Sequence, residues 1–171
     1  QGAFTHNRGL ETALKAMEGL EDSGVHLVLM GYGLLQPVVE EAANRLSHVH
    51  LHPAVPYEQV LEHTQSADVG LVSVRPTCLS YLYCLPNKLF EYIMAGVPVI
   101  GSDSPEIGRI VEETGVGVAC DPADPQAIAE AARTILVDKQ RFVDAAKTAA
   151  RQYNWTVESV KLVKLYEQPS V

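Results

Sequence analysis

Apolar residues in this chain fall into two rhythms, short unbroken runs and longer stretches in which they recur at helical spacing. Val25–Met30, Val49–Leu51, Asp68–Val74, Val97–Ile100 and Val116–Cys120 read as strands, and the opening Gln1–Gly9 reads as the end of another. The uninterrupted apolar character of Val97–Ile100 is that of a parallel strand buried on both faces. Between the strands, Leu10, Ala13, Leu14 and Met17 mark an amphipathic helix. Others are predicted around Val38–Leu46, over Glu58–Gln65, from Asn87 to the stop at Gly96, and over Ile107–Glu113 and Gln126–Leu136. Two further helices, about Arg141–Tyr153 and Thr156–Glu167, close the chain. Regular alternation of strand and helix predicts an α/β fold, a doubly wound parallel sheet of about six strands. No internal repeat, low-complexity tract or linker divides it.

Composition narrows the class of partner. A chain of 171 residues can build one real core, and a formal charge of −8 argues against a surface made for nucleic acid or anionic lipid. No apolar run reaches the roughly 18 residues that span a bilayer, and no basic-then-apolar leader opens the sequence. Cys78, Cys84 and Cys120 have no paired short spacing, which suggests a reducing compartment. The expected location is therefore cytoplasmic. Cys84 lacks the helpers that a thiol nucleophile or a zinc ligand needs.

The stretch Leu85–Ser102 carries the most chemistry. Asn87 after Pro86 reads as an N-cap, and the first helical turn offers free backbone N–H groups together with Lys88 and Glu91. Unpaired amides at a helix start attract phosphate, Lys88 adds a mobile cation, and Glu91 can accept two hydrogen bonds from a vicinal diol. Such a helix, placed at the carboxyl edge of the sheet, suits a ligand that is anionic at one end and hydroxylated at the other. The plainer reading makes Asn87 an ordinary cap, Lys88 a solvated charge and Glu91 a capping-box partner.

Pro86 to Ile100, followed by Ser102-Asp103-Ser104-Pro105-Glu106 and Gly115-Val116-Gly117-Val118, resembles the C-terminal, donor-binding half of GT-B glycosyltransferases of the retaining group 1 type, family 4. That family has a segment of the form P-x-K-x-x-E-x-x-x-x-G-x-P-V-I. The resemblance implies that Lys88 contacts the diphosphate of a nucleotide-sugar donor, UDP- or GDP-linked, and Glu91 its ribose, with Asn87 and Leu89 beside them. It implies a donor-binding domain over residues 1–171, one half of a GT-B enzyme whose N-terminal acceptor domain lies outside this sequence. It also implies sugar transfer to an acceptor hydroxyl with retention and no bound metal, Arg8 and Lys88 stabilising the departing diphosphate. The isolated chain is then expected to bind nucleotide weakly and turn over little.

The rest of the chain is read beside that resemblance. Gly2 would let the backbone pass close to the donor, and Arg8 matches a basic phosphate-binding position; Ala3 stands where the family often has a second Arg. Val55 and Tyr57 follow the third strand, in the loop that lies against the base, although a staple onto the next helix also explains Tyr57. Arg75 is a further possible phosphate partner. Tyr83 occupies the position, eight before Glu91, where many members place a Glu that binds the donor sugar. Tyrosine cannot offer a diol two carboxylate oxygens. Gly31-Tyr32-Gly33 reads as a turn, but Gln36 stands where a dinucleotide fingerprint needs its third glycine. His48, His50 and His52 alternate onto one strand face, read as half-buried strand residues because no carboxylate or cysteine joins them as metal ligands. Ser104 and Glu106 read as cap and first-turn acid. A nucleotide-sugar epimerase of related fold and a non-catalytic nucleotide-sugar-binding module are the competing functions. A phosphorylatable receiver ranks below both, because His52-Pro53 stands where its Asp would be.

Overall fold

A computed structural model describes residues 1–167. In chain order the elements are β1 (Gly2–Ala3), α1 (Leu10–Glu18), β2 (Leu27–Tyr32), α2 (Gln36–Arg45), β3 (Val49–His52), α3 (Tyr57–Thr64), β4 (Gly70–Val72) and α4 (Leu79–Leu82). They continue with α5 (Asn87–Ala95), β5 (Val99–Ser102), α6 (Pro105–Thr114), β6 (Gly117–Cys120), α7 (Pro125–Val137), α8 (Lys139–Ala149) and α9 (Trp155–Glu167). The α/β alternation is as expected, with a single-turn helix, α4, in the connection between β4 and α5.

All strand pairs are parallel, but their hydrogen bonds form two three-stranded ladders, β1-β2-β3 and β4-β5-β6. Between the ladders, contact comes from the loops that follow β1 and β4. The Arg75 N–H donates to the Asn7 carbonyl at 3.0 Å, and Gly9 packs against Ser73. β2 extends past its predicted end because Gly31 and Tyr32 pair with Gly2 and Ala3, so the turn begins only at Gly33.

Helix α7 holds the two ladders in one layer. Its Ile128 and Ala129 pack into the cluster of Phe4, Leu14, Leu29 and Val49, while its Ala132 and Ile135 pack with Ile100 and Phe142. A second cluster joins Val72 and Val99 to Leu89 and Ile93 of α5 and to Ile107 and Val111 of α6. Full burial of each such side chain is worth about 1.5–3 kcal/mol. Gly70 lets α5 approach β4 closely, because a Cβ there would lie 2.4 Å from the Tyr92 ring. At the carboxyl end of β4, the Val74 N–H donates to Ser102 Oγ at 2.7 Å, and the Ser102 hydroxyl lies 3.1 Å from the Val72 and Val74 carbonyls. These bonds fix the start of the loop leading to α5. Helix α9 buries none of its residues among those described.

Several local expectations are corrected. His48 lies just before β3, so the alternation does not reach it; it is buried, with Nε2 2.9 Å from the Met17 carbonyl. His50 and His52 instead face His26 and His63 respectively. Among the described residues no group of three or more ligand-type side chains could hold a metal. Ser104 is the backbone N-cap of α6, but its hydroxyl makes no cap bond and is buried without a partner. Tyr57 is the first residue of α3 and 76% exposed, so it does not staple that helix.

Candidate functional site

The chain leaves β1 and is pinned before it enters α1. Asn7 has φ 63° and Gly9 φ 69°, so Arg8 is carried between two left-handed residues, a conformation natural to glycine and tolerated by asparagine. A Cβ on Gly9 would lie 1.9 Å from Ser73 Oγ, leaving no room for any other residue. With Asn7 also bonded to Arg75, the loop lies against the end of β4 and delivers Arg8 to the carboxyl edge.

Helix α5 starts at that edge because Pro86, at φ −73° and ψ 142°, breaks the chain direction and acts as N-cap. Asn87 is therefore the first helical residue, exposed, with no side-chain cap bond. The N–H groups of Asn87 and Lys88 have no partner among the described residues, whereas Leu89 donates its N–H to the Pro86 carbonyl at 3.0 Å. The Leu89 side chain is fully buried in the core. Leu89 thus faces inward with its amide engaged, which leaves Asn87 and Lys88 to offer the free N–H groups of the first turn.

Lys88 is half-buried, and its amine is pulled down to about 8 from the usual 10.5. Burial is the largest cause, and the nearby Arg8 adds to it while Glu91 opposes it. Among the described residues neither Arg8 nor Lys88 has a carboxylate within ion-pair distance. Two adjacent cations without a carboxylate partner concentrate positive potential at this edge. The Arg8 guanidinium carbon lies 5.3 Å from the centre of the Tyr81 ring. Glu91 does not close a capping box; its Oε2 accepts from Gln1 Nε2 at 2.5 Å. Gln1 in turn accepts a hydrogen bond from the Thr64 hydroxyl.

The structure thus brings Arg8, Lys88 and Glu91 together. Asn87, Glu91 and Tyr57 share the wall of a groove of about 840 Å³ that runs between α3 and α5, past Phe90 and Met94, to Trp155. Tyr83 is 58% exposed in the turn that ends α4, Val55 is half-buried in the loop before α3, and Gly2 is exposed with φ 121°. Arg75 is exposed. Burial pushes the Cys84 thiol up, and its Sγ donates to the Tyr81 carbonyl at 3.2 Å, so it is no ready nucleophile. All three cysteines are free. Sequence reasoning missed Gln1, which bonds Glu91, and Thr64, which bonds Gln1, because the long separations between them leave no local signal. It singled out Tyr83 and passed over Tyr81, whose ring lies under the Arg8 guanidinium.

A profile of the family described as "Glycosyl transferases group 1" matches residues 1–138. The chain belongs to this family. Among group 1 relatives, it is 27% identical to a phosphatidyl-myo-inositol mannosyltransferase of Mycobacterium leprae, over 94% of this chain and 43% of that protein. It thus spans less than half the length of that relative. HepE of Anabaena, solved with UDP-glucose, superposes with TM-score 0.76 at 16% identity, over 98% of this chain and 48% of HepE. The C-terminal domain of a group 1 glycosyltransferase from Francisella tularensis, LpcC, superposes with TM-score 0.70 at 12% identity, over 88% of this chain and 80% of that domain. At these identities the structural likeness establishes the fold, that of the C-terminal half of a GT-B glycosyltransferase. No helix among the described residues is long and apolar enough to cross a membrane.

Proposed function

We propose that residues 1–171 are the donor-binding domain of a retaining glycosyltransferase, which moves a sugar from a nucleoside diphosphate donor to an acceptor hydroxyl. The observation that carries this reading is the pairing of Arg8 with Lys88 at the carboxyl edge, with no acidic partner among the described residues and two free amides of α5 beside them. A diphosphate supplies the missing charge, and a ribose diol fits the carboxylate of Glu91 one helical turn further on. As the donor bond breaks, negative charge grows on the leaving phosphate. Fixed cations and amides already in place stabilise it without reorganising.

Base and sugar contacts follow by position. Val55 and Tyr57 stand where a base would lie, Gly2 opens the backbone beside the phosphates, and Tyr83 offers a single hydroxyl toward the sugar. The acceptor site belongs to a second, N-terminal domain. The apolar residues left exposed on α9, Val160, Leu162, Val163 and Leu165 among them, support such a partner. Alone, the chain binds donor weakly and transfers little or nothing.

Calorimetric titration of the chain with UDP, GDP, their monophosphates and the free nucleosides tests the reading. Diphosphates should bind most tightly and nucleosides least. Equal affinity across the series would overturn it. Restored to full length, the protein should release nucleoside diphosphate only as acceptor is glycosylated; donor binding with no transfer would make it a binding module, and interconversion of sugars an epimerase.

A further inference from the structure

We propose that Tyr81 is a positioning residue for the diphosphate site, holding the Arg8 guanidinium against its ring face; this rests on the reading of Arg8 given above. Arg8 is a long, flexible side chain on a rigid loop, and no carboxylate among the described residues fixes its far end. The feature recorded beside its guanidinium is the ring of Tyr81, 5.3 Å from the guanidinium carbon to the ring centre. That is within the roughly 6 Å over which a ring face attracts a cation.

The ring is itself held by packing, and its backbone by hydrogen bonds. It is half-buried and packs against the cluster of Val72, Leu89 and Ile93, the core that also seats α5. Its backbone is fixed by its N–H bond to the Cys78 carbonyl, 3.0 Å, and by the Cys84 thiol on its own carbonyl. A ring face attracts the guanidinium while leaving its N–H edge unbonded. A carboxylate would instead have consumed those donors and cancelled the charge. Tyr81 can thus restrict Arg8 without neutralising it, which lowers the ordering cost of binding phosphate. The 75–84 segment, outside the Pro86-to-Ile100 run, thereby acquires a role in donor binding through a residue that need not touch the donor.

Two measurements on the chain test this. In the ligand-free protein, the Arg8 Nε–H resonance should be displaced by the Tyr81 ring current, retained in Tyr81→Phe and lost in Tyr81→Leu. In titrations with UDP, Tyr81→Leu should bind about three- to thirtyfold more weakly, Tyr81→Phe as wild type, and Tyr81→Leu should have no further effect in an Arg8→Gln background. Fluorinated phenylalanines at position 81 read the ring's charge without removing its bulk, so affinity should fall with each added fluorine even if Tyr81→Leu fails to fold. Affinity indifferent to fluorination, or a loss on Tyr81→Leu that simply adds to that of Arg8→Gln, would overturn the proposal. Weakening by Arg8→Gln with none by Tyr81→Leu would overturn it alone. An Arg8→Gln variant that binds UDP as wild type does would overturn the reading of Arg8 along with it.

Discussion

Helices α5 and α6 are built alike and charged differently. Each has a proline at its start, Pro86 as the N-cap of α5 and Pro105 as the first residue of α6, each sends two or more aliphatic side chains into the same core, and each ends on a left-handed glycine, Gly96 at φ 69° and Gly115 at φ 66°. On α6, Arg109 bonds Glu106 at 2.8 Å and Glu113 at 3.1 Å, an exposed set satisfied within the helix. On α5, Lys88 is drawn inward beside a second cation and meets no acid at bonding distance among the described residues. One scaffold thus carries two charge patterns, and it is the unsatisfied one that the proposed function uses. Position at the carboxyl edge does not by itself distinguish a binding helix from its neighbour; the absence of an internal partner for its cation does.

The largest effect should show how far the two helices are equivalent. Ile93→Ala on α5 and Ile107→Ala on α6 remove fully buried side chains, and each should cost about 2–5 kcal/mol in denaturant unfolding. A cost below about 1 kcal/mol at either would break the parallel. The charge difference comes next. Lys88→Ala should weaken nucleoside diphosphate binding by about 1.5–3 kcal/mol, the range for hydrogen bonds to charged groups. Arg109→Ala should leave the isotherm and the unfolding midpoint where they were, since its partners are solvated. Equal losses would erase the distinction drawn between the helices. The smallest effect sharpens the division of labour within α5. Glu91→Gln should lose about 0.5–1.5 kcal/mol for a nucleoside diphosphate and less for inorganic pyrophosphate, which has no ribose; matching losses would remove Glu91 from the diol.

The sequence made the scaffold legible because its signals are local. Apolar runs located the strands, Pro86 and Gly96 bracketed α5, and the order P-x-K-x-x-E with a trailing G-x-P-V-I singled out the helix that the group 1 match covers. Legibility failed where a fact depends on distant residues. Gly31 and Tyr32 read as a turn until β1 is seen to pair with them. His48 fitted the alternation of its neighbours, but the strand begins one residue later and the imidazole turns to Met17. Leu89 sits between two plausible ligand contacts in sequence, yet helical geometry sends it into the core. The ring over which Arg8 lies, and the Gln1–Glu91 contact, needed the fold itself.

In the proposed function, Lys88 is held beside Arg8 without a counter-ion so that a diphosphate can provide one. Burial and the neighbouring cation favour its neutral form, leaving its amine at about 8 in the free chain. A bound diphosphate favours the charged form, so the bound state holds the proton more tightly and affinity should fall as pH rises through about 8. Nuclear magnetic resonance of the isotopically labelled Lys88 side chain, titrated with and without UDP, reads this directly. The amine should titrate near 8 alone and well above that value when UDP is bound. The same titration curve in both states would contradict it.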